Sequence, residues 1–236
     1  MELKNYTFKL DAFVCSIYVC QNEPQSPCDI IYTLCGNDFD KIIPEIKDYI
    51  LSKSPDCLKN TAFVSFSPID WNRDYSPWVH EAVFKNAEGF SGGGKKTLDF
   101  IINSLVPETE KIIQSRRRFI VGYSLGGLMS LWSIYKTDIF DGCGSCSGSL
   151  WFDGFKDFAK NNLFGKPKPK IYLSLGKAEE KTKNIRMKNI TAITTELYNY
   201  YKTNNLTSDI QFDINAGGHF SSVPQRMAKA VIFLKK

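Results

Sequence analysis

Histidine is scarce in this chain: among 236 residues only His80 and His219 occur. Few residues are therefore available as a proton acceptor near neutral pH. Also missing is any run of about 18 uncharged apolar residues, the length a membrane-spanning helix requires. Met1 is followed by Glu2, Leu3, Lys4 and Asn5 rather than by a basic segment and an apolar one. The expectation is a cytoplasmic protein with no membrane association. Internal repeats, low-complexity tracts and an obvious linker are absent too, so residues 1–236 read as a single domain. The seven cysteines are odd in number and lie mostly in apolar runs such as Phe13 to Cys20, where a free thiol behaves as a small buried hydrophobe. Cys143 and Cys146 form a CxxC, but no second pair completes a metal site, and neither metal nor cofactor is expected.

The net charge of +5 is carried by lysines interleaved with acids. The densest basic cluster, Arg116 to Arg118, directly precedes an apolar strand and lacks the interleaved aromatics of nucleic-acid binders, so no nucleic-acid partner is expected. What remains is an ordinary folded composition, 43% hydrophobic and 23% charged. Within it β-type and α-type patterns alternate. Tyr6 to Cys20 reads as one or two antiparallel opening strands. Asp29 to Cys35, Thr61 to Ser67, Arg118 to Gly122, Phe140 to Cys146, Lys170 to Leu175 and Ser208 to Ile214 read as buried strands. Helices are expected at Phe39 to Lys53, Lys95 to Gln114, Leu125 to Tyr135, about 151 to 163, 187 to 203, and Val223 to Leu234. This order implies an α/β fold with a mainly parallel, doubly wound sheet and flanking helices. Pro68 to Gly94 is a long irregular loop, and no room is left for a cap domain between the strand at Phe140 and the helix near Trp151.

The strongest local signal is Gly122-Tyr123-Ser124-Leu125-Gly126-Gly127, a G-x-S-x-G between an apolar strand and an apolar helix. A turn that sharp holds the serine in strained backbone geometry, and larger side chains beside it would collide. Ser124 is then a nucleophile at a helix N-terminus, where the Leu125 N–H can meet developing negative charge. A serine nucleophile needs a base. His219, in Gly217-Gly218-His219-Phe220 after the last strand, follows Ser124 in the chain order that such elbows use, whereas His80 precedes it. The orienting acid should follow the Lys170 to Leu175 strand, in Gly176-Lys177-Ala178-Glu179-Glu180; Glu179 is preferred and Glu180 is the alternative. A second oxyanion donor is expected after the third strand, at Asn37 or Gly36.

The pocket walls should come from loops. Trp71, Tyr75 and Trp78 supply rigid rings, Asp74 adds a polar contact, and Trp151 follows the strand end. His80 reads as structural, with substrate contact as the alternative. Gly89 to Lys96 nearly matches the phosphate loop G-x-x-x-x-G-K-[ST], but Lys96 stands where a hydroxyl belongs and no strand leads in, so a flexible glycine hinge is the better reading.

With these residues in place the chain resembles the esterase D group of α/β hydrolases, which includes formylglutathione hydrolases, siderophore esterases and feruloyl esterases. The resemblance rests on Phe119 to Gly127, on Cys143-Gly144-Ser145-Cys146-Ser147-Gly148-Ser149 with Trp151 beyond it, and on Gly218-His219. It implies an α/β-hydrolase fold and a carboxylic ester or thioester hydrolase that works on a small-molecule ester through an acyl-enzyme. The alternative is a catalytically idle scaffold of the same fold used for binding.

Overall fold

Strand β3 (Cys28–Leu34) is buried at every position, and its side chains alternate between two cores: Ile30, Tyr32 and Leu34 on one face, Ile31 on the other. A strand apolar on both sides belongs in a sheet covered on both faces. The computed structural model, which describes residues 4–20, 26–36 and 39–236, shows this arrangement. Around β3 lie β1 (Lys4–Leu10), β2 (Phe13–Cys20), β4 (Thr61–Phe66), β7 (Ser115–Tyr123), β8 (Gly142–Cys146), β9 (Lys168–Gly176) and β10 (Thr207–Asn215). Their order is β1-β2-β4-β3-β7-β8-β9-β10, antiparallel from β1 through β4 and parallel from there on.

Helix α1 (Phe39–Lys53) and helix α8 (Val223–Lys235) cover one face, placing Ile43, Ile46 and Ile50 beside Met227, Val231 and Leu234. The other face is covered by α5 (Leu125–Lys136), α6 (Phe155–Asn161), α7 (Ile190–Thr203) and the segment 94–110. Helix α5 is buried from Leu125 through Tyr135. Its first turn lies so close to β3 that a Cβ on Gly126 would come within 1.9 Å of the Leu34 carbonyl oxygen.

Two expectations need revision. The helix expected from Lys95 to Gln114 is α3 (Gly94–Phe100), a π-helical turn (Ile101–Leu105) and α4 (Val106–Glu110). Pro107 accounts for the break, because its ring clashes with the carbonyl one turn back and the chain widens before it. The long loop also carries some regular structure, a single turn α2 (Trp71–Asp74) and a short hairpin of β5 (Val79–His80) and β6 (Phe90–Ser91). Only residues 147–154 separate β8 from α6, so nothing caps the sheet there. Among the described residues no helix is long and apolar enough to cross a membrane.

The basic cluster before β7 is engaged within the fold. Arg116 and Arg117 both grip Asp29, at 2.6 and 2.8 Å, and Arg118 pairs with Glu110.

Candidate active site

Ser124 joins β7 to α5 with φ 58° and ψ −122°. A non-glycine residue in this region stores roughly 1–3 kcal/mol of strain, which persists only where the surroundings enforce it. They do so through the backbone: the Ser124 N–H donates to the Cys146 carbonyl at 3.1 Å, and the Ser124 carbonyl accepts from Leu128 and Ser149. Gly122 is required here, since a Cβ would sit 2.1 Å from the Gly126 oxygen.

Three side chains from separate loops meet in one hydrogen-bonded line. His219 Nε2 lies 3.1 Å from Ser124 Oγ, and His219 Nδ1 lies 2.9 Å from Glu179 Oε2. Glu180, by contrast, is exposed. The other oxygen of Glu179, Oε1, accepts from the Gly176 N–H at 2.5 Å, the Ser147 hydroxyl at 2.7 Å and Arg226 Nη1 at 2.9 Å. Burial alone would raise this carboxyl, but the hydrogen bonds from His219, Ser147 and Gly176 outweigh it and hold Glu179 below its ordinary value. Glu179 is thus an anion at neutral pH.

Tyr123, Ser147 and Arg226 escaped sequence reasoning. The Tyr123 hydroxyl donates to the His219 carbonyl at 2.5 Å, and Arg226 Nη2 donates to the carbonyls of Ala216 and Gly218 at 3.2 and 2.8 Å. Ser147 carried one signal, its place in the small-residue run after β8. Arg226 carried none, because nothing in the pattern of α8 distinguishes a buried arginine from a solvated one.

A cavity of about 480 Å³ opens over Ser124 and His219. Leu125 lines it, so its N–H stands at the start of α5 beside the nucleophile. Asn37 lies outside the described residues; Gly36, next to it, has φ 79° and packs against Trp71. The walls are largely apolar: Trp71, Phe84, Phe90, Trp151, Met187, Ile190 and Phe220. Of the pocket residues expected from sequence, Trp71 and Trp151 line it.

Asp74, Tyr75 and Trp78 are placed elsewhere. Asp74 turns inward to accept the Ile69 and Asp70 N–H groups at 2.9 and 3.0 Å, closing the loop end. Tyr75 is fully buried against Phe66 and Trp71. Trp78 donates to the Asp153 carbonyl at 3.1 Å and packs on Phe152 and Phe158. These residues shape the loop from behind, Phe84 and Phe90 of the same loop take the wall, and the 182–190 segment contributes lining that sequence did not indicate. His80 pairs with Asp153 at 2.9 Å, tying the same loop to the turn after β8. The glycine run is not a loose hinge: Gly93 and Gly94 donate to the Arg73 and Ser76 carbonyls, and a Cβ on Gly92 would strike Trp78 at 2.7 Å.

Both CxxC thiols are buried, and burial pushes that of Cys146 up to about 12, so it stays protonated. No group of side chains suited to holding a metal occurs among the described residues.

This strand order, with a serine held on a strained strand-to-helix turn, defines an α/β-hydrolase fold. The sequence matches the family described as "Putative esterase" over residues 14–222, and the chain belongs to that family. It is 24% identical over 157 residues to the uncharacterized protein YbbA of Bacillus subtilis, a match covering 64% of this chain and 63% of that protein's length. Among solved structures it is similar to siderophore hydrolase EstA of Aspergillus nidulans, with a TM-score of 0.75 and 18% identity over 99% of this chain and 94% of that one. The BES protein of Bacillus cereus gives a TM-score of 0.75 and 20% identity, covering 98% and 95% of the two chains. An IroE-like serine hydrolase of Shewanella oneidensis gives 0.79 and 15%, covering 98% and 79%. At these identities the likeness establishes a shared fold.

Proposed function

We propose that this protein is a serine esterase that cleaves small carboxylic esters or thioesters through an acyl-enzyme. The observation that carries the proposal is the hydrogen-bonded line from Ser124 through His219 to Glu179 at the mouth of the cavity. In the first half-reaction Ser124 Oγ attacks the ester carbonyl carbon while its proton passes to His219 Nε2. The oxyanion is met by the Leu125 N–H and by a second N–H from the loop after β3, at Asn37 or Gly36. Glu179 stabilises the imidazolium without taking its proton. Collapse of the tetrahedral adduct breaks the bond to the alcohol or thiol, which leaves with the proton from His219. In the second half-reaction water gives a proton to His219 and attacks the acyl carbon. Release of the carboxylic acid then returns a proton to Ser124.

The cavity volume and its short loop walls favour compact esters over long lipids. Steady-state turnover of a panel of p-nitrophenyl esters, with a siderophore ester added because two structural relatives are named as siderophore hydrolases, tests the reading. Turnover that falls on the order of 10³-fold or more in Ser124→Ala supports it. No turnover of any ester by the wild type, or near-normal rates in a clean Ser124→Ala preparation, would overturn it.

A further inference from the structure

Arg226 is fully buried, and its guanidinium reaches both the Glu179 carboxylate and the loop that carries His219. Nη1 donates to Glu179 Oε1 at 2.9 Å, to Ser147 Oγ at 2.6 Å and to the Tyr123 hydroxyl at 3.1 Å. Nη2 donates to the carbonyls of Ala216 and Gly218, on the loop that carries His219. Tyr123, itself held by this guanidinium, holds the His219 carbonyl. Gly176, where β9 ends, leaves the space for this: a Cβ there would meet Arg226 Nη2 and the Gly217 oxygen, each at 2.7 Å.

Resting on the esterase reading above, we propose that Arg226 is a positioning residue that sets the Glu179–His219 pair in register by fixing the carboxylate and the histidine loop through one planar donor group.

A carboxylate bonded only to an imidazole can rotate and offer either oxygen. Here Oε1 is filled by Arg226, Ser147 and the Gly176 N–H, so only Oε2 is left for Nδ1 of His219. The same guanidinium ties the loop on the far side of that bond, so acid and base cannot drift apart independently. Net stability is a weak reason to bury such a pair, because the desolvation of two ions offsets much of their attraction. What the fork geometry supplies is direction, which a lysine ammonium, a point donor, cannot reproduce. Misplacement of a catalytic group by about 1 Å costs on the order of 10²-fold in rate.

The test is a double-mutant cycle with Arg226→Lys and Glu179→Gln, reading kcat and KM on a p-nitrophenyl ester and the fluorophosphonate labelling of Ser124. Arg226→Lys is expected to lower kcat about tenfold and Arg226→Met about 100-fold, with KM within about twofold of wild type. In the Glu179→Gln background, Arg226→Lys should cost clearly less than in the wild type, because one of the two groups it holds in register is already impaired. A purely structural arginine would give equal fold-losses in both backgrounds, and that result, or wild-type kcat in Arg226→Lys and Arg226→Met, overturns the proposal. Should Arg226→Met fail to fold, the Lys cycle decides alone. A wild type that neither turns over esters nor labels at Ser124 refutes the esterase reading instead, so the two failures are distinguishable.

Discussion

Asp29 and Glu179 are both carboxylates withdrawn from water and gripped by basic side chains, one at the start of β3 and the other after the end of β9. Their partners differ in kind. Asp29 faces the basic side chains of Arg116, Arg117 and Lys235 and no histidine. Glu179 shares itself between Arg226 and His219, whose imidazole is 29% exposed and lines the cavity beside Ser124. A buried carboxylate ringed by fixed cations can only hold structure. One whose second oxygen meets an imidazole that in turn reaches a serine hydroxyl at a cavity can support chemistry. The two ends of one sheet thus use the same ion-pair chemistry for different ends.

Matched neutral replacements separate these roles, and the largest effect is expected at Glu179. Glu179→Gln should cut kcat on the order of 10³-fold or more, since an amide neither fixes the tautomer nor stabilises imidazolium. Glu180→Gln should stay within about twofold of wild type, because Glu180 is exposed and Glu179 already occupies the position beside His219. A greater loss in Glu180→Gln would move the acid one residue along the loop. Asp29→Asn should instead leave kcat per folded molecule within about twofold while lowering stability by roughly 3–5 kcal/mol, read by urea unfolding, because three basic groups lose their counter-charge. If Asp29→Asn lost activity without stability, the comparison would collapse.

The comparison has a pH signature. Burial would raise the Asp29 carboxyl, but the hydrogen bonds from Arg117 and Arg116 and the charge of Lys235 hold it well below the usual carboxylate range. A depressed folded-state value means the stabilisation is fully present above the unfolded value, about 3.9, and is lost as pH falls from there toward the folded value. The stability gap between wild type and Asp29→Asn should therefore be constant above about pH 5 and shrink steadily below about pH 4. A gap that widened in acid would reverse the assignment.

The smallest effects are expected in the pocket. Trp71→Ala and Trp151→Ala should alter selectivity along a series of acyl chain lengths, by up to a few fold per methylene at about 0.8 kcal/mol for each one the wall can bury. Trp78→Ala should lower stability and leave the selectivity profile unchanged, since its ring packs behind the wall on Phe152 and Phe158. A shifted profile in Trp78→Ala alone would mean the wall is drawn in the wrong place.

Sheet and elbow were legible because their signals are local. Short, nearly continuous apolar runs in β3 and β4, and glycines at 122 and 126 flanking Ser124, announce structure within a few residues of themselves. Glu179 and His219 were legible for a related reason, each following a strand end at the edge where such sites assemble. Direction within the loop was not legible. Trp71 and Trp78 are the same residue type in one segment, and only tertiary packing turns the first toward the cavity and the second away. The π turn at 101–105 had a visible cause in Pro107, though helical periodicity on both sides masked it. Arg226 was least accessible, because its partners come from the ends of three strands and from the turn before its own helix.

The most direct test of Ser124 as the nucleophile is intact-mass and peptide mass spectrometry after reaction with a fluorophosphonate. One adduct per chain is expected, located on Ser124, absent in Ser124→Ala and formed more slowly in Glu179→Gln. An adduct on another residue, or undiminished labelling of Ser124→Ala, would contradict the assignment.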